Sequence, residues 1–177
     1  MNLTKGQKAP NFKTTDIWGN EIDLSKSDNQ TTLITFFRYA ECALCNLRIS
    51  EIMRHKDEFA KKNIRLITIF ESPVDSLKSN VADRHQFGFT IIADQERKLY
   101  DLYRVKPSWL KLIQTMTWNG ISSALKASKM GFALGGKVEG TFNQIPADFL
   151  INTNGIIEIA HYGDSVIDHI PLNEVLN

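Results

Sequence analysis

A nearly continuous run of apolar and β-branched residues, Thr32–Phe37, is followed by a Cys-Ala-Leu-Cys sequence at positions 42–45, where a helical pattern begins. Such a run is typical of a strand that is buried on both faces of a sheet. A thiol in the first turn of a helix faces unpaired backbone N–H groups and the positive end of the helix dipole, and both stabilise a thiolate. Because Cys45 lies nearly one turn beyond Cys42, the two thiols can close a disulfide. The junction therefore predicts a redox-active cysteine pair.

Length and composition exclude several classes of protein. The 177 residues are 42% hydrophobic and 23% charged, as in an ordinary globular protein, and we expect a single domain over residues 1–177. A formal net charge of +1 argues against global attraction to nucleic acid. No apolar run approaches the ~20 residues of a membrane span, and the N-terminus lacks the apolar core of a secretory signal. We therefore expect a cytoplasmic protein, in which a CxxC pair is more often catalytic, redox-sensing or metal-binding than structural.

Strand and helix patterns alternate along most of the chain. A turn-rich β-ribbon at the N-terminus precedes the first buried strand, helical patterns separate the next strands, and a hairpin lies near the C-terminus. The later strands are predicted at Ile64–Phe70, Thr90–Ala93, Asp148–Ile151 and Ile156–Ala160. Alternating β and α units predict an α/β fold with a mixed sheet.

Two local signals mark the ends of these elements. Ser72 suits the N-cap of a helix running to about Gln86, and Pro73 suits its first position. The hairpin turn contains Asn154-Gly155, and both residues are expected to supply positive φ angles.

The residues around the cysteine pair suggest separate roles. Cys42, at the start of the helix, is expected to be partly exposed and to attack as a thiolate, while the more buried Cys45 resolves the product. Arg38 is a candidate for stabilising the thiolate, although a surface ion pair is an equal alternative. The adjacent Glu41 opposes thiolate formation, so the residues alone leave the sign of the Cys42 pKa shift open. A zinc site is disfavoured because zinc needs four ligands and no second cysteine pair exists.

Four segments resemble the peroxiredoxin-like branch of the alkyl hydroperoxide reductase and thiol-specific antioxidant family, in the subgroup that uses CxxC. The resemblance implies a thioredoxin-like fold, with a central mixed β-sheet flanked by helices, an N-terminal β-hairpin and a helical insertion at about 104–143. The segments that carry it are Gly6–Phe12 with the Gly19-Asn20 turn, Phe37–Cys45, Asp94–Tyr100, and Gln144–Ile151 with Asn154-Gly155.

The resemblance also implies a role for a proline. It implies that the Ile145–Pro146 bond is cis, that Pro146 covers the cysteines, and that the backbone of Ile145 turns outward toward a substrate. One position departs from the family pattern. Typical members carry threonine or serine three residues before the attacking cysteine, where this chain has Tyr39.

The function expected from these features is a thiol-dependent antioxidant oxidoreductase that reduces hydroperoxides through the CxxC pair. A thioredoxin-like reductase of protein disulfides is a close competitor because the threonine or serine hydroxyl that would help to bind the peroxide is missing from position 39. A non-enzymatic redox-sensing interaction module is the third alternative. Both enzymatic hypotheses imply an external dithiol reductant of thioredoxin or glutathione type, and neither requires a cofactor or a metal. A homodimer is compatible with all three.

The segment 104–143 stands outside the basic pattern. Its part from Arg104 to Lys137 contains six basic residues and no Asp or Glu, and its apolar residues fit an amphipathic helix broken near Gly120. We favour a helical lid or dimer surface here over a membrane-surface or acidic-partner role. The four histidines, at positions 55, 85, 161 and 169, lie apart from one another and are interpreted as solvated or hydrogen-bonded side chains.

Overall fold

The computed structural model describes residues 1–26, 29–116, 118–132 and 135–177, apart from the side chain of Trp118. The N-terminal ribbon consists of β1 (Lys13–Thr15) and β2 (Glu21–Asp23), which pair antiparallel as predicted. The Asp16 carboxylate accepts hydrogen bonds from the backbone N–H groups of Trp18 and Asn20, which closes the turn between the strands.

The central sheet has five strands. They are β3 (Thr31–Phe36), β4 (Ile64–Phe70), β5 (Thr90–Ala93), β6 (Ala147–Ile151) and β7 (Ile157–Tyr162). Their order is β5-β4-β3-β6-β7. The first three run parallel, whereas β6 is antiparallel to β3 and β7 is antiparallel to β6. The predicted mixed sheet is confirmed.

Helices connect and flank these strands. They are α1 (Ala43–Arg54), α2 (Lys56–Lys61), α3 (Val74–Leu77) with a π-helical turn at Lys78–Asp83, α4 (Lys98–Leu102), α5 (Trp109–Gln114), α6 (Trp118–Lys129) and α7 (Leu172–Val175). The crossovers through α1 with α2, and through α3, allow β3, β4 and β5 to run parallel. No helix in the described part of the chain is both long and apolar enough to cross a bilayer.

The helical break predicted near Gly120 lies just before that residue. Helix α5 ends at Gln114, and Gly120 lies within α6. A Cβ atom at position 120 would lie 1.5 Å from the backbone oxygen of Thr115. Glycine is therefore needed because α6 passes so close to the turn that precedes it.

Two predictions about element ends were wrong in detail. Pro73, not Ser72, occupies the N-cap of α3, and no side chain caps this helix. Ser72 is fully buried, and its hydroxyl instead accepts a hydrogen bond from the N–H of Ala40 at 2.8 Å. In the β6–β7 turn only Gly155 has a positive φ, because the Asn152 side chain fixes the turn by accepting from the N–H groups of Asn154 and Ile156.

The core lies on both faces of the sheet. Alternate residues of β3 point to opposite sides, so Leu33 packs with α1 and Ile34 packs with Tyr100 and Phe149. Each fully buried side chain of this size contributes about 1.5–3 kcal/mol. With both faces covered, the loops after β3 and β4 meet at one edge of the sheet, and the cysteine pair lies there.

Candidate active site

Cys42 is the N-cap residue of α1. Its backbone is extended, with φ −65° and ψ 114°, and its sulfur accepts a hydrogen bond from the N–H of Cys45 at 3.3 Å. A sulfur atom in this position faces the unpaired N–H groups of the first helical turn, as the sequence predicted. Both cysteines are free thiols.

The backbone on either side of Cys42 is held by side chains that sequence reasoning missed. The Asn46 side chain donates to the carbonyl oxygens of Ala40 at 2.7 Å and of Cys42 at 3.1 Å. Its own oxygen lies 2.7 Å from Nε2 of His85. With the Ala40–Ser72 bond, these contacts fix the conformation of the loop from both ends. The sequence does contain a signal that could have identified Asn46. It is a polar residue one turn after Cys42, on the side of α1 where the other residues are apolar.

Arg38 lies beside the sulfur of Cys42. Its Nη1 atom is 3.7 Å from Sγ, and its Nη2 atom donates to the carbonyl oxygen of Phe142. The guanidinium carbon is 4.9 Å from the ring centre of Tyr39 and 5.1 Å from that of Phe142. Only 6% of Arg38 is exposed, so the group sits inside the site and not in a surface ion pair. This contact favours the thiolate-stabilising interpretation.

The two thiols have opposite pKa shifts. Burial alone would raise the pKa of Cys42, but the Cys45 thiol, the Arg38 charge and the N–H groups of Cys45 and Leu44 lower it to about 7. Burial and the hydrogen bond to Cys42 raise the pKa of Cys45 well above its ordinary value. Of the two, Cys42 is therefore the thiol that ionises near neutral pH. The direction of the Cys42 pKa shift, which the sequence left open, is therefore downward.

The expected partial exposure of Cys42 was wrong. Cys42 is 4% exposed and Cys45 is 3% exposed. Residues of the segment 136–142 lie over the loop: the N–H of Lys137 donates to the Glu41 carboxylate at 3.0 Å, and Phe142 lies against Arg38. Cys42 is more buried than expected because this segment, which is distant in sequence, covers the loop.

An ion-paired network anchors the end of that segment. The Glu71 carboxylate accepts from the N–H and the hydroxyl of Thr141, both at 2.8 Å, and pairs with Arg97. The N–H of Glu71 in turn donates to the backbone oxygen of Arg38 at 3.1 Å. Thr141, the neighbour of Phe142, is thus linked through Glu71 to the loop that carries Arg38 and Cys42.

The prediction of a cis Ile145–Pro146 bond was wrong: the structure has no cis peptide bond among the described residues. The carbonyl of Pro146 accepts from the N–H of Gly163 at 3.0 Å, which continues the β6–β7 pairing in extended, trans geometry. Nor does Ile145 present its carbonyl to a substrate, because the side chain of Gln144 donates to it at 2.7 Å. Pro146 precedes Ala147, which pairs with Phe36, so it does lie at the cysteine edge of the sheet. The side chain stacked on Arg38 is that of Phe142.

Three of the four histidines form local hydrogen bonds, as interpreted from the sequence: His85 with Asn46, His169 with the buried Asp148 at 3.1 Å, and His55 with Glu58 at 2.8 Å. Nε2 of His161 lies 3.1 Å from the Asp168 carboxylate, but among the described residues it has no partner with hydrogen-bond geometry. Across the described residues, no group of three or more His, Cys, Asp or Glu side chains is placed to hold a metal ion.

Comparison with known proteins identifies the family. The model of the AhpC/TSA family matches residues 5–160. The chain belongs to the AhpC/TSA family. The resemblance drawn from the sequence motifs is thereby confirmed.

Relatives within the family carry two kinds of name. Peroxiredoxin Bcp of Escherichia coli K12 is 23% identical over 103 residues, which are 58% of this chain and 65% of that protein. Thiol-disulfide oxidoreductase ResA of Bacillus thuringiensis is 22% identical over 102 residues, which are 58% of each protein. The chain therefore matches less than two thirds of the length of these relatives. Both names denote enzymes.

Solved structures confirm the thioredoxin-like fold. Peroxidoxin BcpB from Mycobacterium tuberculosis superposes with a TM-score of 0.71 at 15% identity, covering 99% of this chain and 95% of that one. A yeast mitochondrial 1-Cys peroxiredoxin gives a TM-score of 0.70 at 20% identity, covering 98% and 73%. At these identities the likeness establishes the fold alone.

Proposed function

We propose that this AhpC/TSA-family chain is a thiol peroxidase that reduces hydroperoxides, with Cys42 as the attacking thiolate and Cys45 as the resolving thiol. The observation that carries the proposal is the contact between Arg38 and the Cys42 sulfur in a site where that thiol has a pKa of about 7. About half of such a thiol is ionised at neutral pH. The family membership and the relative named peroxiredoxin support the same reading.

The proposed cycle has three balanced steps. The Cys42 thiolate attacks the terminal oxygen of the hydroperoxide, the O–O bond breaks, and the leaving alkoxide takes up a proton to become an alcohol, which leaves Cys42 as a sulfenic acid. The Cys45 thiol then attacks the Cys42 sulfur and expels water, forming the disulfide. An external dithiol reduces this disulfide through a mixed disulfide and is itself oxidised.

Burial favours a small first substrate. With Cys42 only 4% exposed, a peroxide oxygen can approach the sulfur with less rearrangement than the sulfur atom of a protein disulfide. The third step has the opposite requirement, because a dithiol reductant must reach the Cys42–Cys45 disulfide. We therefore expect that step to depend on movement of the segment 136–142 away from Glu41 and Arg38. The proposed setting is the cytoplasm, where thioredoxin- or glutathione-type reductants are present.

Reduction of disulfides is the second candidate. Tyr39 takes the place of the threonine or serine typical of peroxidases in this family, and a relative is named a thiol-disulfide oxidoreductase. In that reaction the Cys42 thiolate attacks a substrate sulfur, and Cys45 releases the mixed disulfide.

A steady-state assay separates the candidates. The reduced protein is mixed with hydrogen peroxide or an organic hydroperoxide and a general dithiol reductant, and a parallel assay follows insulin reduction. We expect peroxide turnover that Cys42→Ser abolishes. In pre-reduced Cys45→Ser, with the dithiol reductant removed, we expect one equivalent of peroxide to be consumed and a sulfenic acid to form on Cys42, detected by mass spectrometry of a dimedone adduct. Insulin reduction without peroxide turnover would assign the disulfide reaction, and no thiol-dependent turnover of either kind would favour a redox sensor.

A further inference from the structure

Helix α5 turns its polar side to the protein and its apolar side to solvent. Lys111 donates to the carbonyl of Gly163 at 2.8 Å and pairs with Asp164 at 2.9 Å. Thr115, just after the helix, is buried, and its hydroxyl accepts from the N–H of Val166 at 2.9 Å. None of the residues of α5 is buried. The hydrogen bonds and the ion pair with the rest of the protein are thus made by polar side chains, while Leu112 is half-buried and Trp109 contacts Phe142.

The large apolar side chains of this helix point outward together. At about 100° per residue, positions 109, 113 and 116 fall on one side and Lys111 falls on the other. The outward side chains, each between 62% and 78% exposed, are Trp109, Leu110, Ile113 and Met116. An amphipathic helix of a globular protein normally buries its apolar side, and an exposed apolar patch indicates a surface that contacts something else.

Helix α6 has the same arrangement. It buries small residues, Gly120 and Ala127, on the side where Ala127 and Phe132 pack against α1. It exposes Ile121 and Leu125, and its Lys129 lies on the side of Leu125 by helical spacing. Both helices of segment 104–143 therefore present aliphatic side chains to solvent.

The charge of this segment points to an anionic partner. Of the six basic residues between 104 and 137, Lys111, Lys126 and Lys137 pair with Asp164, Glu51 and Glu139. Within the described ranges, the other three, Arg104, Lys106 and Lys129, form no ion pair, so the unneutralised charge of the segment is positive. A two-fold contact between copies of this surface would bring like charges together, which disfavours a second copy as the partner.

We propose that α5 and the exposed side of α6 bind the surface of an anionic lipid bilayer. The outward tryptophan and aliphatic side chains would enter the boundary between headgroups and acyl chains, while Lys106 and Lys129 contact anionic headgroups. Tryptophan, leucine and isoleucine flanked by lysine is the composition of helices that lie in a bilayer interface. Phe142 contacts Trp109 at a ring distance of 6.2 Å and also lies on Arg38, so the bound surface would adjoin the cysteine site.

Vesicle co-sedimentation tests the proposal with the full chain. We expect binding to vesicles of phosphatidylcholine mixed with phosphatidylglycerol at low salt, and much weaker binding to phosphatidylcholine alone or at high salt. The double variant Leu110→Ser/Ile113→Ser should lower the partition coefficient by about tenfold or more. Lys106→Glu/Lys129→Glu should lower it by roughly fivefold or more for each lysine. Leu102→Ser, which removes an exposed leucine of α4, is the matched control and should bind like the original protein.

Several outcomes would overturn the lipid assignment. Circular dichroism first establishes that each variant is folded. Absence of binding to phosphatidylglycerol vesicles, or equal binding by the original protein and the Leu110→Ser/Ile113→Ser variant, would contradict it. Light scattering that shows a dimer dissociated by the same variant would assign the surface to a second copy. Binding to soluble polyglutamate as tight as binding to vesicles, and unaffected by the serine substitutions, would assign it to an acidic protein.

Discussion

Replacement of Arg38 by methionine should raise the pKa of the Cys42 thiol by about one to two units. The Nη1 atom lies 3.7 Å from the sulfur in a buried site. Two unit charges at about 4 Å interact by about 4 kcal/mol at an effective dielectric constant of 20 and by about 1 kcal/mol in water. Because the guanidinium charge is spread over several atoms, we expect about 1.4–2.7 kcal/mol, which corresponds to this pKa change.

The pH dependence of the reaction follows from that shift. With a pKa of about 7, about half of Cys42 is thiolate at pH 7, and the shift would leave roughly 1–10%. A thiol of higher pKa is also the stronger nucleophile once ionised, by about threefold per unit. The net loss in the rate of reaction with peroxide should therefore be only about two- to sixfold at pH 7. It should disappear or reverse above the new pKa.

The assay is a titration of thiolate absorbance in a Cys45→Ser background, followed by stopped-flow rates with hydrogen peroxide across the same pH range. Serine keeps a hydroxyl that can donate to the Cys42 sulfur, so this interaction is retained. Arg54→Met, which removes an exposed charge in the last turn of α1, is the control and should leave the pKa unchanged. An unchanged pKa in the Arg38 variant would refute the reasoning and leave the side-chain hydrogen bond from residue 45 and the N–H groups of the helix terminus as the causes. A rate that stays low at every pH would show that Arg38 also acts on the peroxide.

Two further predictions concern stability. Burial and the neighbouring Arg84 lower the pKa of His85 from 6.5 to about 4, so between these pH values the unfolded chain binds a proton that the folded chain does not. The free energy of unfolding should therefore fall as the pH drops through this window, by at most about 2 kcal/mol for a partly exposed ring, and denaturant titrations of His85→Gln should show a flatter pH dependence. Gly140 has φ +121°, and a Cβ there would lie 2.6 Å from Cβ of Glu71, so Gly140→Ala should destabilise by about 1–3 kcal/mol. At Gly135 an added Cβ would have no neighbouring atom within 4 Å, so Gly135→Ala should change the free energy of unfolding by less than about 0.5 kcal/mol. Equal destabilisation by the two alanine variants would contradict this account.

The elements that sequence reasoning predicted well are those set by local patterns. The strands Ile64–Phe70 and Thr90–Ala93 have the predicted bounds, and α1 begins directly after Cys42. In each case an apolar run or a helical repeat of the chain itself specifies the element. The cysteine pair was predictable for the same reason, because its spacing and its position after a buried strand are both local.

The details that failed depend on contacts between distant segments. Ser72 has the right type and position for an N-cap, yet it binds the N–H of Ala40 because β3 and β4 end side by side. Arg38 and Phe142 are 104 positions apart, and no periodicity links them. The burial of Cys42 depends on the same long-range packing. Nor could hydrophobic spacing reveal that α5 is turned apolar side outward, because amphipathicity defines two faces and not which of them meets the protein.

The departure from the family pattern at position 39 acquires a physical role in this site. Threonine or serine there would offer a hydroxyl to the peroxide, whereas Tyr39 places its ring 4.9 Å from the guanidinium carbon of Arg38. The ring of Phe142 also contacts this guanidinium, so two aromatic side chains hold Arg38 against the Cys42 sulfur. Within the described structure the Nε atom of Arg38 is buried and has no hydrogen-bond partner. Arg38 is thus held in place mainly by aromatic contacts and lowers the Cys42 pKa in a site that lacks the threonine or serine hydroxyl of the family pattern.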